Sequence, residues 1–312
     1  MSTAVITGAS TGIGLQTAIQ LARREEYAKI VFAVRSVEKT IRSIPPELES
    51  KCVVLYCDLA SLESVELFVS NLQSRGVSSI DRLVLNAGIN DYTNKKSRTT
   101  VDGFDEIWQV NYLAHFYLTC LVKPLLAVDS RIVCLSSVMH WFGNPKRFDE
   151  LVNSSKDSLN LYHYYSDSKL AMAVLACELN RRLPKTVSIA ANPGSVMSDI
   201  FRHWLIGLLG IIVKLLASFI LLSTVDGART SVMACSDKCL TKFEYLSPYG
   251  QVKGWGRWAA CLSDLIWFRI NKDQDKMIGE CANCVSDKAV GEKLWVQSVQ
   301  ALEKSRRIKI SC

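Results

Sequence analysis

Five short stretches of this chain are continuously apolar rather than alternating: "TAVIT" (3–7), "KIVFAV" (29–34), "KCVVLYC" (51–57), "DRLVLN" (81–86) and "SRIVCLS" (130–136). A strand that meets water on one face alternates polar and apolar residues, whereas a strand covered on both faces does not. Between them lie "GIGLQTAIQLARREE", "LESVELFVSNLQSRG" and "GFDEIWQVNYLAHFYLTCLVKPLL", which read as amphipathic helices. Strand–helix alternation of this kind predicts an α/β fold, a doubly wound parallel sheet (Rossmann fold) with helices on both faces. "KTVSIAANPG" predicts a sixth strand and "KFEYLS" a seventh.

The chain has 312 residues, 49% of them apolar, which is enough for a large core. It contains no internal repeat or low-complexity linker, so residues 1–312 read as a single domain. Two stretches exceed a minimal version of this fold. One is a polar insertion at 138–163; the other, 250–284, includes "WAACLSDLIWFRI".

"TGASTGIG" follows the first predicted strand and opens the first predicted helix. Gly8, Gly12 and Gly14 permit a tight turn and a close backbone approach, and the free N–H groups at a helix start attract an anion. With Ser10, Thr11 and Ile13 they form a candidate pyrophosphate loop, spaced Gly-x-x-x-Gly-x-Gly. A carboxylate at the end of the second strand would bind the ribose hydroxyls of NAD. Here the strand ends "VFAVRS", and the guanidinium of Arg35 can instead clamp a 2′-phosphate, which predicts NADP(H).

"YSDSK" places Tyr165 and Lys169 one helical turn apart on one face, ahead of the helix-forming run "KLAMAVLACELNRRL". A free tyrosine titrates near ~10 and is a slow acid–base catalyst at neutral pH. A cation one turn away stabilises the phenolate. Alone, a Tyr-x-x-x-Lys spacing is equally an ordinary helix surface.

"LIGLLGIIVKLLASFILLS" (205–223) contains one charge, Lys214. Three readings of the region 203–223 stay open: a lid over an apolar pocket, a monotopic patch on a membrane, and a full span. The span would put "KFEYLS" across a bilayer from the sheet it should join. The other two imply a lipophilic small-molecule substrate.

Net charge is +7, but the basic residues are dispersed, so no nucleic acid is expected. The start "MSTAVITGAS" lacks the apolar core of a secretory signal. This predicts a cytoplasmic protein, or one on the cytosolic face of an intracellular membrane, with its eleven cysteines reduced. "CANC" (281–284) has the spacing of a redox or metal pair. No second pair lies at a suitable distance, so no metal is expected.

In this order, "TGASTGIG", "CDLAS", "LNAG", "VNYLAHF", "LSS", "YSDSK" and "NPG" resemble the short-chain dehydrogenase/reductase superfamily over essentially the whole chain. "FAVRSVEK", "VNYLAHFYL", "PGSVMSDIFRHW" and "VSDKAVGEKLWVQSVQALE" are most similar to its retinol dehydrogenase and WW-domain-containing oxidoreductase-like branch. The resemblance implies that Asp58 and Leu59 flank the adenine, and that Asn86, Ala87 and Gly88 lie behind the cofactor. It implies that Asn111 holds a proton-relay water, that Ser137 holds the substrate oxygen, and that Tyr165 and Lys169 are the catalytic pair. The serine doublet makes Ser136 the alternative to Ser137. Pro193 and Gly194 match the turn beside the nicotinamide, and Ser198 stands where the family often has a cofactor-binding Thr.

The activity so implied is NADP(H)-dependent interconversion of a hydroxyl and a carbonyl on a retinoid, steroid or other lipid. A homodimer is a further expectation, since two-fold association through long helices is common in the family. The alternatives are a non-catalytic NADP(H) sensor or scaffold and a protochlorophyllide-reductase-like tetrapyrrole reductase.

Overall fold

All the apolar runs become strands of one seven-stranded sheet: β1 (Ser2–Thr7), β2 (Tyr27–Val34), β3 (Cys52–Tyr56), β4 (Ile80–Leu85), β5 (Leu126–Leu135), β6 (Thr186–Ala191) and β7 (Tyr245–Leu246). The computed structural model describes residues 1–90, 98–153, 161–196, 222–248 and 281–306. The strand order is β3-β2-β1-β4-β5-β6-β7, and every neighbouring pair is parallel. β5 begins ahead of its apolar run because Ile80 pairs with Leu126 across a register shift, near Asp129 at φ 63°.

The helices are α1 (Gly12–Ala22), α2 (Val37–Ile41), α3 (Leu62–Ser74), α4 (Glu106–Trp108), α5 (Ala114–Val122), α6 (Phe148–Asn153), α7 (Leu161–Arg182), α8 (Thr224–Gly227), α9 (Arg229–Ser236) and α10 (Lys288–Arg306). A π-helical turn, Gln109–Leu113, joins α4 to α5.

Successive strand residues point to opposite faces. Ala4, Ile6, Ile30, Phe32 and Val84 pack with residues of α1 and α9. Val5, Val31, Ala33, Leu83 and Leu85 pack with residues of α3, α5, α7 and α10. Covering both faces explains why the strands read as unbroken apolar runs. In α7 the whole stretch from Tyr164 to Leu179 is buried, because the sheet lies on one side and α10 and the insertion on the other. A helix buried all round is the expected result of apolar residues on every face.

The polar insertion folds, in its described part, as two 3-10 turns (Val138–Phe142 and Pro145–Arg147) followed by α6. Of the stretch 250–284, residues 281–284 are described and lead through a 3-10 turn (Asn283–Val285) into α10. Ser198, all but the last two residues of 203–223, and 250–280 lie outside the described residues.

β1 has β2 on one side and β4 on the other. The chain therefore leaves β1 towards one edge of the sheet and later returns to build the other. At such a switch point the loops after the strands part and open a crevice, the usual ligand site of a doubly wound sheet.

Candidate active site

The sequence-predicted loop residues that the structure describes gather at one end of the strands. Gly8–Gly14 follow β1, Arg35 follows β2, Asp58 and Leu59 follow β3, and Asn86–Gly88 follow β4. Ser137 follows β5, and Pro193 and Gly194 follow β6. In a parallel sheet these are all carboxyl ends, so the motifs share one rim although they are far apart in the chain.

The glycine loop is shaped by backbone approach. Gly8 has φ +65°, and a Cβ there would stand 2.8 Å from Ala87 Cα. On Gly14 a Cβ would stand 2.3 Å from Asn86 Nδ2, which donates to Thr7 O at 2.7 Å. Gly12 differs: its φ is +60°, yet nothing lies within 4 Å of a Cβ built there. Thr11, at the N-cap of α1, makes no side-chain cap hydrogen bond, and the first turn carries no acidic residue. Ser10, Thr11, Gly12 and Ile13 are half-buried. Uncapped N–H groups, open space at Gly12 and the positive helix end fit a pyrophosphate.

Around the loop, Arg35 is exposed. Asp58 is half-buried and its Oδ1 accepts from Ala60 N–H at 3.0 Å; Leu59 is buried, and its carbonyl accepts from Gln109 Nε2 at 3.2 Å. Gly194, at φ +78°, donates its N–H to Asn192 Oδ1 at 3.0 Å and turns the chain away from β6 with Pro193.

Lys169 is 5% exposed, its Nζ donates to Leu135 O at 3.2 Å, and it stands 5.7 Å from the centre of the Tyr165 ring. Burial pushes its pKa down to about 8. Gly88 makes room for it: a Cβ there would lie 3.1 Å from Lys169 Nζ and 3.5 Å from Asn111 Oδ1. Asn111 sits in the π turn, a helix irregularity that often marks functional positions. Its side chain brackets the loop after β4, accepting from Ile89 N–H at 2.7 Å and donating to Ile89 O at 3.0 Å and to Ser168 Oγ at 3.1 Å.

The serine doublet separates cleanly. Ser136 is buried and donates to Lys169 O on α7 at 2.9 Å. Ser137 is half-buried and caps the following 3-10 turn by accepting from Met139 N–H at 3.3 Å.

Several residues join this centre that the motifs do not single out. Thr7 Oγ1 accepts from the N–H groups of Asn86 and Ala87 at 2.9 and 3.0 Å, and lies 2.9 Å from His115 Nε2. The other His115 nitrogen meets Asn111 O at 3.1 Å. Burial pushes the His115 pKa down to about 3; the Asn111 contact opposes this and the charge of Lys169 adds to it. His115 is four residues beyond Asn111 on the same helix, a spacing visible in "VNYLAHF". Asp167, inside "YSDSK", is held by Arg147 and by Asn144 N–H.

Val196 and Leu222 form a parallel bridge, and Leu222 N–H donates to Ser195 O at 2.8 Å. The described residues on either side of 197–221 are therefore neighbours. Among the described residues no helix is long and apolar enough to cross a membrane, and no His, Cys, Asp and Glu group could hold a metal. Eight of the described cysteines are free thiols.

A family model described as short chain dehydrogenase matches residues 2–148. The WW domain-containing oxidoreductase of Drosophila melanogaster is 37% identical over 225 residues, 68% of this chain and 54% of that protein. Human retinol dehydrogenase 13 is 37% identical over 64% of this chain and 61% of its own length, so the match spans little more than half of these two relatives. Human polyprenol dehydrogenase is 34% identical over 74% of this chain and 71% of its own. A crystal structure of an uncharacterized protein from Mycobacterium paratuberculosis superposes with a TM-score of 0.70 at 28% identity, covering 100% of this chain and 96% of that one. Motifs, sheet order and relatives agree: the chain belongs to the short-chain dehydrogenase/reductase family of oxidoreductases, in its retinol dehydrogenase-like branch.

Proposed function

We propose that this protein interconverts a hydroxyl and a carbonyl on a lipophilic substrate, using NADP(H). The observation that carries the reading is the burial of Lys169 beside Tyr165, over Gly88 and next to Asn111, at the rim where the glycine loop opens. Burying a lone ammonium costs several kcal/mol in water-free surroundings, and such a cost persists where the charge has work to do.

Gly8, Gly12, Gly14 and the first turn of α1 would hold the pyrophosphate, and the exposed Arg35 would hold the 2′-phosphate. Bound there, the nicotinamide supplies or accepts the hydride. Tyr165 gives a proton to the substrate oxygen in reduction and takes it in oxidation. Lys169 stabilises negative charge on that phenolic oxygen. Ser137 donates a hydrogen bond to the substrate oxygen as charge builds there. Asn111 fixes the loop after β4 against α7, which sets the distance between the two halves of the site.

The lipophilic class is suggested by relatives named for retinol and polyprenol, and by the apolar segment 203–223. A peripheral contact of that segment with the cytosolic face of an intracellular membrane belongs to the same reading. Cell fractionation with high-salt and detergent washes tests it, and recovery of all the protein in the soluble fraction would count against it. A homodimer would need a surface other than α5 and α7, which the chain already buries.

The deciding experiment measures turnover of a panel of lipophilic aldehydes and alcohols with NADPH, NADH and their oxidised forms, with Tyr165→Phe as control. Turnover that falls by about 10²–10⁴-fold in Tyr165→Phe supports the reading. Tight NADPH binding with no turnover on any member would point to a sensor. Arg35→Met should reduce the preference for NADPH over NADH by about 10–100-fold, the scale of a lost charge-assisted hydrogen bond.

A further inference from the structure

Three donors converge on the main-chain carbonyl of Ser137. The N–H of His140 reaches it at 3.0 Å, His140 Nδ1 at 2.7 Å and the Tyr245 hydroxyl at 3.3 Å. His140 is fully buried and stacks against Tyr245, with ring centres 4.7 Å apart. Its other nitrogen, Nε2, lies 3.2 Å from the backbone N–H of Ala282. That N–H can only donate, so Nε2 must accept and the ring proton sits on Nδ1, aimed at Ser137 O. The Tyr245 hydroxyl, 3.1 Å from Nδ1, donates to the same carbonyl. Burial pushes the pKa of His140 down to about 4, against the opposing effect of the Ser137 contact. The neutral form that this network requires is the one present at neutral pH.

The rest of Ser137 is lightly held. Its hydroxyl is engaged as an acceptor by one long contact from Met139 N–H, and Ser136 turns the other way into α7. What fixes the Ser137 Cα, and with it the reach of Oγ, is therefore the peptide that follows it. We propose that His140 is a positioning residue for the Ser137 hydroxyl, locking that peptide through Nδ1–H and tying the lock through Nε2 to Ala282, just ahead of α10. This rests on the proposed role of Ser137 in holding the substrate oxygen. It adds that the stretch before the C-terminal helix braces the catalytic serine across the molecule, giving residues 281–282 a role that their cysteine spacing does not reveal. A displacement of about 1 Å at a reacting group can cost ~10²-fold in rate, so a small relaxation of this turn would register in kcat.

The test is a mutant cycle with a spectroscopic arm. His140→Phe keeps a ring against Tyr245 but removes both nitrogens, whereas His140→Asn keeps a donor near the Nδ1 position. His140→Phe is expected to lower kcat by about 10–100-fold while KM and NADPH affinity change less than about 3-fold. His140→Asn should recover much of the loss. In a Ser137→Ala background, His140→Phe should cost less than about 2-fold more, because the group it positions is gone. Equal losses with and without Ser137, or equal losses for Phe and Asn, would overturn the proposal. Should His140→Phe fail to fold, Tyr245→Phe runs through the same cycle with a smaller expected loss of about 2–10-fold.

¹⁵N-histidine NMR of the wild-type protein gives a readout without turnover. The signals absent from His140→Asn should show the neutral Nδ1–H tautomer at pH 7, and an Nε2–H tautomer would refute the geometry. Were Tyr165→Phe fully active, the proposed reaction centre itself would fall, and the tautomer would still judge the His140 network.

Discussion

Arg147 grips the Asp167 carboxylate with two hydrogen bonds, Nε to Oδ2 and a terminal guanidinium nitrogen to Oδ1, both at 2.6 Å. Asp167 is fully buried and Arg147 is 18% exposed. Asn144 N–H adds a third bond to Oδ1 at 2.8 Å. Since Asp167 lies between Tyr165 and Lys169, this pair fastens the insertion after β5 to the Tyr165–Lys169 turn of α7. Burial outweighs these partners and leaves the Asp167 carboxyl above its usual range. Removing the cation alone should therefore be costly. Arg147→Met is expected to lose about 3–5 kcal/mol in urea denaturation, and Arg147→Met with Asp167→Leu should lose less. A double variant weaker than the single one would contradict this account.

The two serines after β5 make opposite predictions. Ser137→Ala should lower kcat by about 10²–10³-fold, the scale of a lost donor to a developing oxyanion, with little change in stability. Ser136→Ala should keep its kcat within a few-fold but lose about 1 kcal/mol, because its bond is to the Lys169 carbonyl. Steady-state kinetics and denaturation on both variants decide the assignment.

Gly8 and Gly12 share a left-handed backbone but not a neighbourhood. A methyl on Gly8 would meet the backbone of Ala87 at 2.8 Å, so Gly8→Ala should impair folding and nucleotide binding together. A methyl on Gly12 meets no protein atom within 4 Å. Gly12→Ala should cost only about 1–2 kcal/mol of backbone strain. It should still weaken NADPH binding, by filling the space where the phosphate is proposed to lie. Calorimetric titration of both variants would separate the two effects.

The activity should fail on the alkaline side early. Burial pushes Lys169 down to about 8, so its charge is present below that pH and lost as pH rises through it. In the reductive direction kcat/KM should fall above about 8, well before the ~10.4 of an ordinary lysine. A profile flat to pH 10 would refute this.

Acid should destabilise the fold through His115 and His140, both buried. Burial pushes His140 to about 4 and His115 to about 3, each below the ordinary 6.5. Between 6.5 and those values the unfolded chain binds protons that the native state refuses, so stability falls as pH drops. Each histidine contributes a slope of about 1.4 kcal/mol per pH unit inside its window. The unfolding free energy of His140→Phe, measured from pH 6.5 to 4, should depend on pH by about one proton less than wild type.

Much of this architecture is legible in the sequence because it is local. Unbroken apolar runs report strands covered on both faces. The Gly8–Gly14 loop and the Tyr165–Lys169 turn are set by short-range spacing. What escapes is set by packing between distant segments. Thr7 meets His115 across 108 residues and His140 meets Tyr245 across 105, and neither contact leaves a mark in spacing or composition. The Ser136–Ser137 doublet is ambiguous in one dimension because a strand end offers two faces. Only the position of α7 shows which serine it uses up.

The pairing of Val196 with Leu222 has a consequence for how such a protein can change. Val196 and Leu222, on either side of 197–221, share one hydrogen-bonded step. Doubling the length of a flexible insert adds only about 0.6 kcal/mol of closure entropy. A lineage, or an engineer, could exchange the residues between these two points for a shorter, longer or more polar piece while the strand order stays as it is.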